Sequence, residues 1–193
     1  LDNSRHYLSF SIGIANWPAH GADADELMRH AELALYDAKE KGKNMWRMFG
    51  IELDEALRKR RRLETHLSEA VARGELFLVY QPQARATDGS ISRCEALLRW
   101  QHPEDGLISP DAFISVAERT GLIIPIGYWI LEQAVQFALR LAERQAAPSA
   151  VSVNISAVQL ADADFVSGVA AVLAKSGLAP ALLELEITES VML

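Results

Sequence analysis

The sequence predicts an α/β fold: an incomplete TIM-like (β/α)8 barrel, preceded by the closing part of a smaller α/β unit. Beyond Gly74, strand-like and helix-like segments alternate at the spacing of a parallel sheet covered by helices. Three of those strands carry polar side chains on a face that such a sheet ordinarily buries. Ahead of Gly74 lies a shorter strand–helix–strand pattern, joined to the rest by a basic helix. The expected division is 1–49 for the first unit, 50–73 for the linker helix and 74–193 for the barrel part.

Residues 9–14 alternate small and apolar side chains and read as a strand. A loop with Pro18, His20 and Gly21 comes next. Asp23 can cap a helix, with Glu26 three residues on as the return partner of a capping box. Leu27, Ala31, Ala34, Leu35 and Ala38 mark its apolar face, and Gly42 ends it behind Lys39 and Lys41. Residues 44–49 read as a short strand. A helix over about 53–73 carries the run Arg58 to Arg62, then an apolar stripe at Leu63, Leu67, Ala70 and Val71. That run reads as a solvated helix face, with a nucleic-acid or lipid patch as the alternative. Strands are predicted over 76–83, 91–100, 151–156 and 183–188. Helices are predicted from Ser109-Pro110-Asp111 to Gly121, over 126–145 and over 162–176.

Half of the 193 residues are hydrophobic, enough for a sizeable core, yet nothing approaches the roughly 18 apolar residues of a membrane span. Cys94 is the single cysteine, which excludes an internal disulfide and suits a reducing cytoplasm. The net charge of −7 argues against general binding of nucleic-acid polymers. The polar start resembles no signal peptide. With no initial Met and an end at Val191-Met192-Leu193, the chain reads as a segment of a longer polypeptide, and any anchor to a membrane would lie elsewhere in it.

Side chains alternate across a strand. Over 151–156, Ser152, Asn154 and Ser156 share the face opposite the apolar residues; over 183–188, Glu184, Glu186 and Thr188 do so. Over 91–100, Glu95, Leu97 and Arg99 oppose Cys94, Ala96, Leu98 and Trp100. A closed barrel accommodates this, because polar groups near the strand C-termini point into its mouth. Glu95, Asn154 and Glu186 would converge there, and carboxylates with no partner favour a bound cation. An all-oxygen set selects a hard ion, Mg²⁺ or Mn²⁺, over Zn²⁺. The alternative is that Glu95 merely pairs with Arg99 while Asn154 and Glu186 are satisfied by hydrogen bonds.

Glu95-Ala96-Leu97-Leu98-Arg99-Trp100 is similar to the signature that names the EAL domains, and Tyr80-Gln81-Pro82-Gln83 precedes it at the family's interval. Ala117-Glu118-Arg119-Thr120-Gly121-Leu122-Ile123, Val153-Asn154-Ile155-Ser156 with Gln159, and Glu186-Ile187-Thr188-Glu189 come after it in the family's order. Residues 1–48 resemble the end of a GGDEF domain. The likeness rests on residues 11–15 and on the run from Ala31 to Asn44, with Glu32 standing where that family usually has Asp.

The resemblance implies a phosphodiesterase that opens cyclic di-GMP to linear pGpG with Mg²⁺ or Mn²⁺. Carried over residue by residue, Glu95, Asn154 and Glu186 would be metal ligands, Glu95 with a catalytic role. Gln81 and Arg99 would hold the substrate, and Glu189, also assigned to catalysis, would anchor the loop after its strand. Lys39 and Lys43 match positions that contact a nucleotide triphosphate in GGDEF domains, although closing a helix C-terminus is an equal role for them. A barrel of this kind needs about 250 residues, so neither active site is complete within this chain. The family's later Asp, Lys and Glu positions would lie beyond Leu193. Two alternatives to the enzyme therefore stay open, a non-catalytic cyclic di-GMP receptor and an oligomerising scaffold. An open strand edge at 183–188 also predicts a homo-oligomer.

Overall fold

The computed structural model describes residues 8–143 and 150–187, and the chain divides into two compact units, Leu1–Arg62 and Leu63–Leu193.

In the first unit, β1 (Ile12–Ile14) and β2 (Trp46–Met48) pair in parallel, joined by helix α1 (Ala24–Glu40). The Asp23 side chain accepts the Glu26 N–H at 2.8 Å, as the capping signature predicts. Glu26 returns the contact to the Ala22 N–H, also at 2.8 Å, so the reciprocal pair is one residue wider than a standard capping box. Helix and strand approach so closely that a Cβ on Gly13 would lie 2.0 Å from the Ala31 carbonyl oxygen. The buried Asp37 carboxylate is flanked by Lys41 at 3.3 Å and Arg47 at 3.2 Å, which ties the end of α1 to β2. Helix α2 (Ile51–Ala70) comes next. Within the basic run, Arg58 pairs with Asp54 at 2.8 Å and Arg60 pairs with Glu40.

The second unit holds β3 (Leu76–Ala84), β4 (Ile91–His102), β5 (Gly106–Ile108), β6 (Ala150–Ile155) and β7 (Leu183–Ile187). Its helices are α3 (Pro110–Thr120), α4 (Ile123–Glu143), α5 (Ala157–Leu160) and α6 (Phe165–Ser176). The sheet runs β3-β4-β6-β7, with β5 beside β4. The pairs β4–β6 and β6–β7 are parallel, as the strand–helix alternation predicts. The pair β3–β4 is antiparallel, so the sheet is mixed rather than wholly parallel. The connection between these strands explains the difference. A parallel crossover takes a dozen or more residues, whereas 85–90 make a tight turn with Gly89 at φ +71°. Ser90 donates to the Asp88 carboxylate through N–H (3.0 Å) and hydroxyl (2.7 Å), and these bonds hold the Asp88 carboxyl below its ordinary range.

One face of this sheet carries Ala96, Leu98, Trp100, Val151, Val153 and Ile155, all buried beneath the helices. Phe113 and Val116 of α3, Leu131 and Ala134 of α4, and Leu63 and Leu67 of α2 complete that core. Trp100 is fully buried, and its indole N–H donates to Glu75 at 3.0 Å. His102, equally enclosed, accepts the Glu104 and Asp105 N–H groups on Nδ1 at 3.2 and 3.1 Å. That leaves Nε2 to donate to His66 Nδ1 of α2, whose ring stacks on it with centroids 4.7 Å apart. Among the described residues, no helix is long and apolar enough to cross a membrane.

Candidate functional site

The strand register arranges the opposite, polar face. Gln81 of β3 is the partner of Glu95 on β4, Glu95 that of Ser152 on β6, and Ser152 that of Glu184 on β7. These four positions form one row across the sheet, and paired residues point to the same side. One row nearer the C-terminal ends of β6 and β7, Asn154 pairs with Glu186. The amide Nδ2 of Asn154 donates to Glu95 Oε1 at 2.7 Å, which links the two rows. Glu95, Asn154 and Glu186, predicted to converge from three strands, therefore sit on three hydrogen-bonded neighbours.

Arg99 lies two pleats beyond Glu95 on the same face, half-buried, and its Nη1 donates to the Leu98 carbonyl at 2.8 Å. No ion pair joins it to Glu95 among the described residues, so that part of the plainer alternative does not form. The other part does in one respect, because Asn154 is satisfied by a hydrogen bond to Glu95. Gln81 is exposed beside Glu95. Glu189 and Thr188 fall outside the described residues. In the first unit Lys39 stands in the last turn of α1, and Lys43 lies in the turn to β2 with φ +60°.

Below the Asn154 row, Arg93 of β4 and Glu184 of β7 form an ion pair across β6. Ser152 is fully buried at this level, and its hydroxyl has no hydrogen-bond partner among the described residues. Above Ala96 and Val153 the ladder between β4 and β6 ends. A cavity of about 140 Å³ opens there, lined among others by Leu97, Arg99, Glu118, Asn154, Ser156 and Gln159. On the covered face, burial pushes the Cys94 thiol above its ordinary pKa.

Residue patterns do not assign structural parts to several neighbours of the site. Ser156 caps the short helix α5, its hydroxyl accepting the Gln159 N–H at 3.3 Å, while Gln159 Oε1 accepts the Ser156 N–H at 3.1 Å. The S-x-x-Q spacing is the capping-box signature and could have revealed this turn directly after Asn154. Gly127 of α4 faces the Gln159 amide, a contact that no local spacing signals.

Among the described residues, no cluster of three or more His, Cys, Asp or Glu side chains is placed to hold a metal ion. The donors at hand are two carboxylates, Glu95 and Glu186, and the Asn154 amide, an all-oxygen set that fits a hard divalent cation once the amide presents Oδ1.

The EAL domain pattern matches residues 64–193, and the diguanylate cyclase GGDEF domain pattern matches residues 1–45. Across 97% of its length the chain is 40% identical to the bifunctional diguanylate cyclase/cyclic di-GMP phosphodiesterase MucR of Pseudomonas aeruginosa, covering 28% of that protein. It is 37% identical, again over 97% of its length, to the cyclic di-GMP phosphodiesterase PdeR of Escherichia coli, of which it covers 28%. The structure of the PaMucR phosphodiesterase in complex with c-di-GMP superposes with a TM-score of 0.63 at 41% identity, over 68% of this chain and 53% of that one. The chain spans about a quarter of the length of the curated relatives it matches. With the EAL pattern covering more than half of the sequence, and the sheet order and polar rows described above, the chain belongs to the EAL domain family and carries a GGDEF domain sequence in front of it.

Proposed function

We propose that the polypeptide carrying this chain hydrolyses one phosphodiester bond of cyclic di-GMP to give linear pGpG, in the cytoplasm and with Mg²⁺ or Mn²⁺. The observation that carries this reading is the adjacency of Glu95, Asn154 and Glu186 on the face of three neighbouring strands opposite the apolar core. Glu95 and Glu186 would hold the ion by carboxylate oxygens and Asn154 by its amide oxygen. A bound divalent ion supplies charge neutralisation for the phosphate and an activated water. Arg99 brings a planar, permanently charged fork suited to a non-bridging phosphate pair. Gln81 presents amide donor and acceptor groups from the edge of the same row, suited to a polar contact with the nucleotide. Glu189 would brace the loop beyond Glu186. In the GGDEF part, Lys39 and Lys43 would face a nucleotide triphosphate.

Glu95→Ala in the longer polypeptide tests the reading. Turnover of cyclic di-GMP, measured by chromatographic separation of pGpG, should fall to background while the circular dichroism spectrum stays that of the wild type. Wild-type rates in this variant would remove Glu95 from the metal site. A wild type that binds cyclic di-GMP without cleaving it would instead identify a receptor.

A further inference from the structure

Asn154 stands near the end of β6, two residues before a turn that departs sharply into α5. The ladder from β6 to β4 has already stopped at Ala96 and Val153, so this strand end loses one of its two neighbours. The turn after it must supply the missing restraint, and that turn is unusually enclosed. Ser156 and Gln159 are both buried, and they satisfy one another's backbone N–H groups. The far end of Gln159 lies against α4. A Cβ at Gly127 would come within 2.0 Å of Gln159 Nε2 and 2.8 Å of its Cδ. The glycine is therefore the space in which the amide rests, and it explains why a helix of the core carries that residue in its first half. Gln159 also lines the cavity beside Asn154 and Arg99.

We propose that Gly127, Ser156 and Gln159 form a clamp that fixes the backbone bearing Asn154, making Gln159 a positioning residue for metal binding. This rests on the metal role proposed for Asn154. The clamp acts through the chain. Its polar bonds fix the direction in which β6 leaves the sheet, and that direction sets where the Asn154 amide stands relative to Glu95 and Glu186. Groups that orient a metal ligand without touching the ion typically matter by about 10–100-fold in metal affinity. A mere helix cap would affect stability and leave metal affinity alone.

The test uses the longer polypeptide and reads Mn²⁺ affinity by electron paramagnetic resonance, beside the melting temperature of the metal-free protein. Gln159→Ala should weaken Mn²⁺ binding by about tenfold or more. Gln159→Glu keeps an oxygen for the Ser156 N–H and should recover most of that loss. Gly127→Ala should match Gln159→Ala, because the added methyl displaces the same amide. The double variant should bind no worse than either single one. The KM for cyclic di-GMP at saturating metal should stay near the wild-type value throughout. A Gln159→Ala protein with wild-type Mn²⁺ affinity and only a lower melting temperature would overturn the inference, provided Asn154→Ala does lose the ion. If Asn154→Ala also keeps wild-type affinity, or the wild type binds no Mn²⁺, the metal reading falls and takes the clamp with it.

Discussion

Charge and burial give individual residues different assignments even where they are neighbours on one strand. Arg99 and Glu95 share a face of β4, yet Arg99 donates to the Leu98 carbonyl and leaves the Glu95 carboxylate to Asn154. An arginine uncommitted to that carboxylate is available to an anionic ligand. Under the function proposed for the longer polypeptide, Arg99→Ala in it should therefore weaken cyclic di-GMP binding by about 2–5 kcal/mol, while metal affinity stays unchanged. Calorimetry at saturating metal checks this, and a loss of metal affinity with unaltered nucleotide affinity would return Arg99 to a structural role. Cys94 sits one residue before Glu95 but on the covered face, with 4% of its surface exposed. Burial raises its pKa, so at neutral pH the fraction of reactive thiolate falls below that of an ordinary cysteine. Iodoacetamide should leave Cys94 unmodified in the folded protein and label it after denaturation, as mass spectrometry would show. Rapid labelling of the native protein would contradict the burial of that strand face.

Secondary-structure elements are joined here by close approaches that only small side chains permit. At Gly13 the backbone of β1 meets α1 so tightly that an added Cβ would overlap Ala31 O, Leu35 N and Leu35 Cα, with no flexible side chain to move aside. Gly13→Ala should destabilise the first unit by about 1–3 kcal/mol, read as a lower midpoint in urea. An unchanged midpoint would mean that strand and helix separate at little cost. Gly168 differs, because its added methyl would meet the Tyr128 ring. That ring can turn away at the cost of its hydrogen bond to the Asp164 carbonyl, so Gly168→Ala should cost less than Gly13→Ala. At the same scale, the tight turn at 85–90 sends β4 back antiparallel to β3 and sets Gln81 directly beside Glu95.

On the scale of the whole molecule, the sheet of the second unit ends on β7 among the described residues. β7 pairs with β6 alone among the described residues, and Leu185 and Ile187 on it are 36% and 56% exposed. These residues share the face that β4 and β6 use to receive helices. Exposed apolar side chains beside an unpaired strand edge favour association with another chain. Expressed as these 193 residues alone, the protein should form oligomers in light scattering. A homogeneous monomer would overturn the reading of β7 as an open edge. The sequence by itself determined the order of the longer elements, though not β5 or α5, the helix starts at Asp23 and Ser109, and which strand faces carry Glu95, Asn154 and Glu186. Each is a local or periodic property, written within a few residues. Only the tertiary structure decided that Asn154 donates to Glu95, that Arg99 does not, and that Gly127 receives Gln159. The two contacts that form join residues 59 and 32 positions apart, and their outcome depends on register, rotamer and helix placement, which no local pattern encodes.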